Sequence, residues 1–220
     1  MKLIKPYTEI LTPINGKRIL KFIEKVARTC YKSEDKITED SAEKMIQKLV
    51  DRGHFPMLEF SDIVVKFVCD RGVSHEIVRH RIASYAQEST RYCNYSKSKF
   101  KNSITFIIPC WLNLTEAEYN IDYLLIGKEL EDEWLRAMKQ SELHYLRFIE
   151  NGWKPEQARS VLPNSLKTEI CVKMDLTEWR HFFKLRTAKA AHPQMRELTI
   201  PLLKEFQSKI PIIFDDITYE

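Results

Sequence analysis

Apolar residues recur at Ile19, Leu20, Ile23, Val26, Ala27 and Cys30, a spacing that predicts a helix behind a first strand over residues 2–11. A second helix is expected with Thr38 as its N-cap, Ala42, Met45, Ile46, Leu49 and Val50 as its apolar stripe, and Gly53 as its terminating glycine. The period then shortens. Ile63, Val65, Phe67 and Cys69 alternate with Val64, Lys66 and Val68, predicting a strand buried on both faces, and helical spacing returns after Gly72 over residues 74–83. A polar stretch over residues 84–99 leads to a strand over residues 104–109. Thr115-x-x-Glu118 reads as a capping box opening a long helical region up to Asn151-Gly152, with Gly127 as a candidate break. Pro155 starts a short helix that ends near Pro163, and Leu166, Thr168, Ile170, Val172 and Met174 then alternate with Lys167, Glu169, Cys171 and Lys173 as a further strand. Helices over residues 176–188 and 193–209 close the chain.

No repeat or Gly/Ser linker interrupts this pattern, so the expected fold is a single α+β domain over residues 1–220, a small, mostly antiparallel sheet covered by helices. A hydrophobic content of 44% supports a substantial core, yet no apolar run approaches the roughly 20 residues needed to cross a bilayer. Charge interrupts the start of the chain too early for a secretion signal, and a cytoplasmic location is expected. The net charge of +4 suits a phosphate-bearing small molecule and lacks the Lys/Arg tracts of a nucleic-acid tail. Five widely spaced cysteines (Cys30, Cys69, Cys93, Cys110 and Cys171) form no C-x-x-C pair, so free thiols are expected and no metal is. His181 and His192 likewise lack the spacing of a metal-binding pair. The glycine fingerprints of a dinucleotide-binding turn and of a P-loop are both missing.

Two places break the amphipathic pattern. If helical phase continues from Ser74, Arg81 falls among Val73, Ile77, Val78 and Ile82, while His75 and Arg79 share another side. In the helix from Leu176, Arg186 falls inside an arc of Trp179, Phe182, Phe183 and Leu185. A desolvated arginine needs a carboxylate, an aromatic face or an anionic ligand, so an internal ion pair and a ligand site both satisfy the pattern. Between these helices, Gln87-Glu88-Ser89-Thr90-Arg91 offers hydroxyl, amide and guanidinium groups that suit a phosphate monoester; an ordinary Ser/Thr turn is the alternative.

Arg79-His80-Arg81, seven residues, Ser89, one residue and Arg91 form an R-H-R-x₇-S-x-R signature that resembles the flavin-dependent thymidylate synthase family. Similarity extends through Ala27 to Tyr31, Gly53-His54 with Glu59, Arg159 to Pro163, and Trp179 to Glu197. The resemblance implies conversion of dUMP to dTMP, with methylenetetrahydrofolate as one-carbon donor and NADPH-reduced FAD as hydride source, in a homotetramer with active sites at subunit interfaces. It implies dUMP contacts from Glu76, Arg79, Gln87, Glu88, Ser89, Thr90, Arg91, Arg159 and Arg186, with Arg159 and Arg186 on the uracil and Arg186 as the catalytic group. It implies FAD contacts from His54, Pro56, Arg79, His80, Arg81, Gln87, Asp175, Leu176, Thr177 and His181. Glu76, Gln87 and Asp175 depart from the family's common Gln, Glu and Asn. Two alternative readings are weighed: Pro109-Cys110 superficially matches the unrelated thiol-dependent synthases, although Cys110 reads as a buried structural thiol, and Arg79 to Arg91 with Tyr85, Tyr92 and Tyr95 would suit an RNA-binding surface but form no recognised RNA-binding motif.

Overall fold

A computed structural model describes residues 1–120 and 129–219 as a mixed α/β architecture of the α+β class. The strands are β1 (Lys2–Ile4), β2 (Tyr7–Ile10), β3 (Asp62–Asp70), β4 (Ser84–Gln87), β5 (Thr105–Ile107), β6 (Ala117–Glu118) and β7 (Lys167–Asp175). The helices are α1 (Gly16–Thr29), α2 (Ser41–Asp51), α3 (Arg71–Ile77), α4 (Leu130–Glu150), α5 (Pro155–Ala158), α6 (Leu176–Arg186) and α7 (Pro193–Lys209). One sheet runs β5-β1-β6 and the other β2-β3-β7-β4. Chain contacts divide these elements between two compact units, residues 1–7, 67–79 and 86–170 in the first and residues 8–66, 80–85 and 171–220 in the second.

In the first unit β1 pairs parallel with β5 (Leu3 opposite Phe106) and antiparallel with β6 (Leu3 opposite Ala117). The core beneath it holds Leu3, Ile104, Phe106, Leu135, Met138, Tyr145 and Leu166. The expected capping box at Thr115 is not one: Ala117–Glu118 is recruited as a strand by β1, and Thr115 instead gives its carbonyl to the Tyr119 hydroxyl at 3.0 Å. The long helix is present from Leu130, and Gly127 lies outside the described residues. The single first strand expected over residues 2–11 is two strands parted at Lys5-Pro6, because proline has no N–H to give a ladder.

The second unit is built on α1, α2, α6 and α7. Asp40, not Thr38, occupies the N-cap position of α2, while Ser41 Oγ accepts from the Thr38 N–H at 2.8 Å. Gly53 ends α2 as expected, at φ +65°, a left-handed conformation that glycine adopts without strain. Trp179, Phe182, Phe183, Phe206 and Phe214 form a buried aromatic cluster, with Trp179 Nε1 donating to the Ile63 carbonyl at 3.1 Å. Leu185, expected in that arc, is instead 50% exposed.

Candidate active site

Asp70 starts α3 by accepting from the Val73 N–H at 2.7 Å, and the helix stops at Ile77 rather than running to residue 83. This early stop changes which side chains face inward. Arg79 and Arg81 lie beyond the helix and are exposed, Val78 and Ile82 are exposed as well, and His80 is the buried member of the triplet. The inward arginine expected at Arg81 is therefore replaced by an inward imidazole. Because the helix begins at Arg71, His75 shares a face with Arg71 four residues back, while Arg79 lies outside the helix.

In the first unit Arg71, His75, Thr90, Arg159, Ser160 and Asn164 line a cleft of about 240 Å³, and among the described residues no carboxylate lines it. Arg159 Nη1 donates to Thr90 Oγ1 at 3.1 Å, tying the expected phosphate loop to the short helix begun by Pro155. The loop folds on itself: Ser89 Oγ accepts from the Arg91 N–H at 3.3 Å, and the Ser89 carbonyl accepts from Cys93 at 2.9 Å. Arg91 is exposed, 4.0 Å from Glu156 and over the Tyr92 ring. Glu88 is held by Lys167 at 3.0 Å and by the Tyr95 hydroxyl at 3.3 Å, and burial followed by the Glu88 charge pushes the Tyr95 phenol upward. Arg71 and His75 were absent from the expected site; their i,i+4 spacing was the available signal, obscured because the helix was started three residues late.

Gln87 has a local reason to differ from Glu. Ser74 Oγ gives its proton to the Arg71 carbonyl at 2.9 Å, so the same oxygen accepts from Gln87 Nε2 at 3.0 Å, and an ionised carboxylate cannot make that donation. Glu76 is half-buried in the last turn of α3, where its carbonyl accepts from the Arg79 N–H at 3.2 Å.

The second unit contains most residues expected on the flavin. Asp175 caps α6 by accepting from the Glu178 N–H at 2.8 Å, a task Asn performs equally well, which accounts for that departure. Leu176 is fully buried with its N–H on the Ser61 carbonyl, and Thr177 Oγ1 donates to the Phe55 carbonyl at 3.0 Å, fastening the exposed His54 and Pro56 segment to α6. His80 lies at the centre. Its Nδ1 is 3.1 Å from Glu178 Oε1, its Nε2 accepts from Arg186 Nε at 3.0 Å, and its carbonyl accepts from the Tyr85 hydroxyl at 2.5 Å. The His80 ring meets Phe182 at 4.9 Å and the exposed His181 at 5.7 Å. Glu178 and Tyr85 are functional candidates that periodicity did not reveal, since nothing local marks them as partners of His80. His80, Glu178 and His181 also bring ligand-capable atoms within 4.8 Å of one another, a grouping the sequence spacing had not suggested.

Burial, the Arg186 guanidinium and His181 together push the His80 imidazole down to about 4 from an ordinary 6.5. Burial, with Glu178 beside it, raises the Tyr85 phenol to about 12. Because the folded-state value of His80 lies below the unfolded one, the unfolded chain binds this proton more readily between pH 6.5 and 4. The His80 contribution to stability is thus complete above pH 6.5 and is lost as pH falls toward 4, with a slope of up to about 1.4 kcal/mol per pH unit. Chemical denaturation across that range should show a shallower loss for His80→Gln than for the wild type; parallel curves would contradict the assignment.

The deeply buried arginine of α6 is Arg180, not Arg186. It meets Asp216 through both Nη atoms at 2.6 Å, donates to the Ile213 carbonyl and covers the Phe55 ring at 4.6 Å. An internal ion pair thus does exist on this helix, at a position whose partner lies 36 residues away. Arg186 is half-buried, and its carbonyl accepts from Thr199 Oγ1 of α7 at 2.9 Å. Cys110 is exposed rather than buried, because the strand ends at Ile107 and Pro109 begins a turn closed by the Leu112 N–H; Cys69 is the buried thiol.

Comparison with known proteins adds to this geometry. The family described as Thymidylate synthase complementing protein matches residues 16–212. A flavin-dependent thymidylate synthase of Pyrococcus furiosus is 32% identical over 178 residues, covering 80% of this chain and 67% of that protein. One from Geobacter sulfurreducens is 30% identical over 197 residues, covering 86% of this chain and 78% of the relative. Among solved structures, a UMP/dUMP methylase, PolB from Streptomyces cacaoi, bound with 5-Br dUMP, superposes with a TM-score of 0.75 over 98% of this chain and 96% of its own, at 19% identity, a likeness of fold.

Proposed function

Because this chain belongs to the flavin-dependent thymidylate synthase family, we propose that it converts dUMP to dTMP by reductive methylation, taking the methylene group from methylenetetrahydrofolate and using no cysteine nucleophile. In this reading NADPH is the reductant, and FAD when bound supplies the hydride. The observation that carries the reading is the carboxylate-free cationic cleft, in which the hydroxyl of Thr90 meets Arg159 beside Arg71 and His75. This composition suits the dianionic 5′-phosphate of dUMP, with Ser89 and Arg91 on the same loop. The Arg159–Thr90 bond supports placing Arg159 with the phosphate loop, and for Arg186 on the uracil the support is the family itself.

Arg186 works by electrostatics. Its guanidinium stabilises negative charge on the pyrimidine as C5 becomes nucleophilic, so that C5 is activated without the covalent thiolate addition that thiol-dependent chemistry uses. The chain's residues also fit the flavin: exposed His54, Arg81 and His181 offer cationic and planar groups for a pyrophosphate and a flat ring, while Asp175, Leu176 and Thr177 hold the α6 end near Phe55. We include in the same proposal that residues 1–220 act as one domain, that four copies share active sites at their interfaces, and that the enzyme is cytoplasmic. Neither unit is a continuous stretch of chain, which favours a single domain. Among the described residues no helix is long and apolar enough to cross a membrane.

Anaerobic incubation with FAD, NADPH, dUMP and methylenetetrahydrofolate should yield dTMP, and omission of any one should abolish it. Equal yield from flavin-stripped protein would refute the reading, and a colourless protein that copurifies with nucleic acid would favour an RNA-binding surface instead. Cys110→Ala should fold, bind FAD and keep synthesis, because the flavin route needs no thiolate. Loss of synthesis by a folded, flavin-loaded Cys110→Ala would restore the thiol-dependent alternative.

A further inference from the structure

Glu178 is 8% exposed and lies on α6 two turns before Arg186, with His80 between their side chains. A guanidinium has donors only, so the Arg186 Nε–H···Nε2 bond requires a bare Nε2 on His80. A neutral imidazole carries one proton, which must then sit on Nδ1 and be donated to Glu178 Oε1. We propose that Glu178 is a positioning residue that fixes the His80 tautomer and through it aims the Arg186 guanidinium at the substrate. The catalytic half of this statement rests on the role given to Arg186 above; the tautomer half stands on geometry alone.

Other groups face His80 from the elements around it, and among the described residues Glu178 is the acceptor placed at Nδ1. His181 and Phe182 of α6 meet its ring, Tyr85 holds its carbonyl, and Arg186 occupies Nε2. Its strongly lowered proton affinity agrees with a singly protonated ring. Burial raises the Glu178 carboxyl, the price of placing an acceptor there. The same bonding argues against a metal at His80, Glu178 and His181, although Glu178 and His181 have the i,i+3 spacing of helical metal sites. While Arg186 holds Nε2, Nδ1 has no lone pair for a cation, and the guanidinium charge repels one.

The test uses full-length protein labelled with ¹⁵N at histidine and arginine, near pH 7, in which proton–nitrogen correlation spectra separate the two histidine tautomers and show the arginine Nε–H groups. Wild-type His80 should be the Nδ1–H form. In Glu178→Leu it should move toward Nε2–H, the Arg186 Nε–H signal should lose its protection from exchange, and single-turnover dTMP formation with prereduced flavin should fall about tenfold or more with flavin affinity retained. Glu178→Gln, whose amide oxygen still accepts from Nδ1–H, should restore the tautomer and most of the rate. A wild-type Nε2–H tautomer would overturn the proposal, as would a folded Glu178→Gln with a native tautomer but the rate of the Leu variant. If the Leu variant changes tautomer yet keeps full turnover, aiming by His80 is refuted. Failure of Arg186→Lys to affect synthesis would instead refute the Arg186 reading, leaving the tautomer result to judge Glu178 separately.

Discussion

Arg186→Lys should lower single-turnover dTMP formation by about 100-fold or more while FAD binding survives. The substitution keeps the charge and removes the shape. The native guanidinium donates through Nε to His80 at 3.0 Å, and its planar fork presents further N–H groups in a fixed direction. An ammonium concentrates its donors on one atom at the end of a flexible stem, so a lysine that reaches His80 Nε2 no longer offers a two-donor edge elsewhere. If this edge acts mainly on charge developing in the transition state, the loss appears in the chemical step and not in affinity. Prereduced flavin separates that step from NADPH oxidation. Near-wild-type dTMP formation would reduce Arg186 to a structural partner of His80.

Trp179→Ala should destabilise the protein by about 3–5 kcal/mol, the range for deleting a large aromatic side chain from a closed core. Trp179 is fully buried and touches Phe182, Phe183 and Phe206 with ring centroids 5.3–5.6 Å away. The substitution removes those contacts, opens a cavity among rings already packed on each other, and leaves the Ile63 carbonyl without the indole donor. Trp179→Phe, which loses the hydrogen bond but keeps most of the volume, should cost less than half as much. Urea denaturation of both variants provides the check, and an Ala variant within 1 kcal/mol of wild type, roughly the scale of an ordinary point substitution, would show that the cluster collapses around the gap.

Regular elements were legible where the period belonged to the element itself. The alternation from Thr168 to Met174 is observed as alternating burial along β7, and Gly53 and Pro155 punctuate their helices as their backbone chemistry requires. The signature from Arg79 to Arg91 was likewise readable as a linear motif, and it led to the family by resemblance. What phase could not supply was the point at which a helix stops: carrying it past Ile77 turned Arg81 inward, whereas the chain leaves the helix and buries His80.

Partners distant in sequence were beyond any local pattern. Arg180 with Asp216, Arg159 with Thr90, and His80 with both Glu178 and Arg186 are separated by 36, 69, 98 and 106 residues. Residue type and spacing therefore determined the secondary-structure alphabet, the linear signature from Arg79 to Arg91 and the inward-facing Trp179, Phe182 and Phe183 of α6. Only tertiary structure decided which arginine is neutralised by a carboxylate, which histidine is buried and on which nitrogen it is protonated, because burial and long-range hydrogen bonding are set by what folds against a residue and not by its neighbours along the chain.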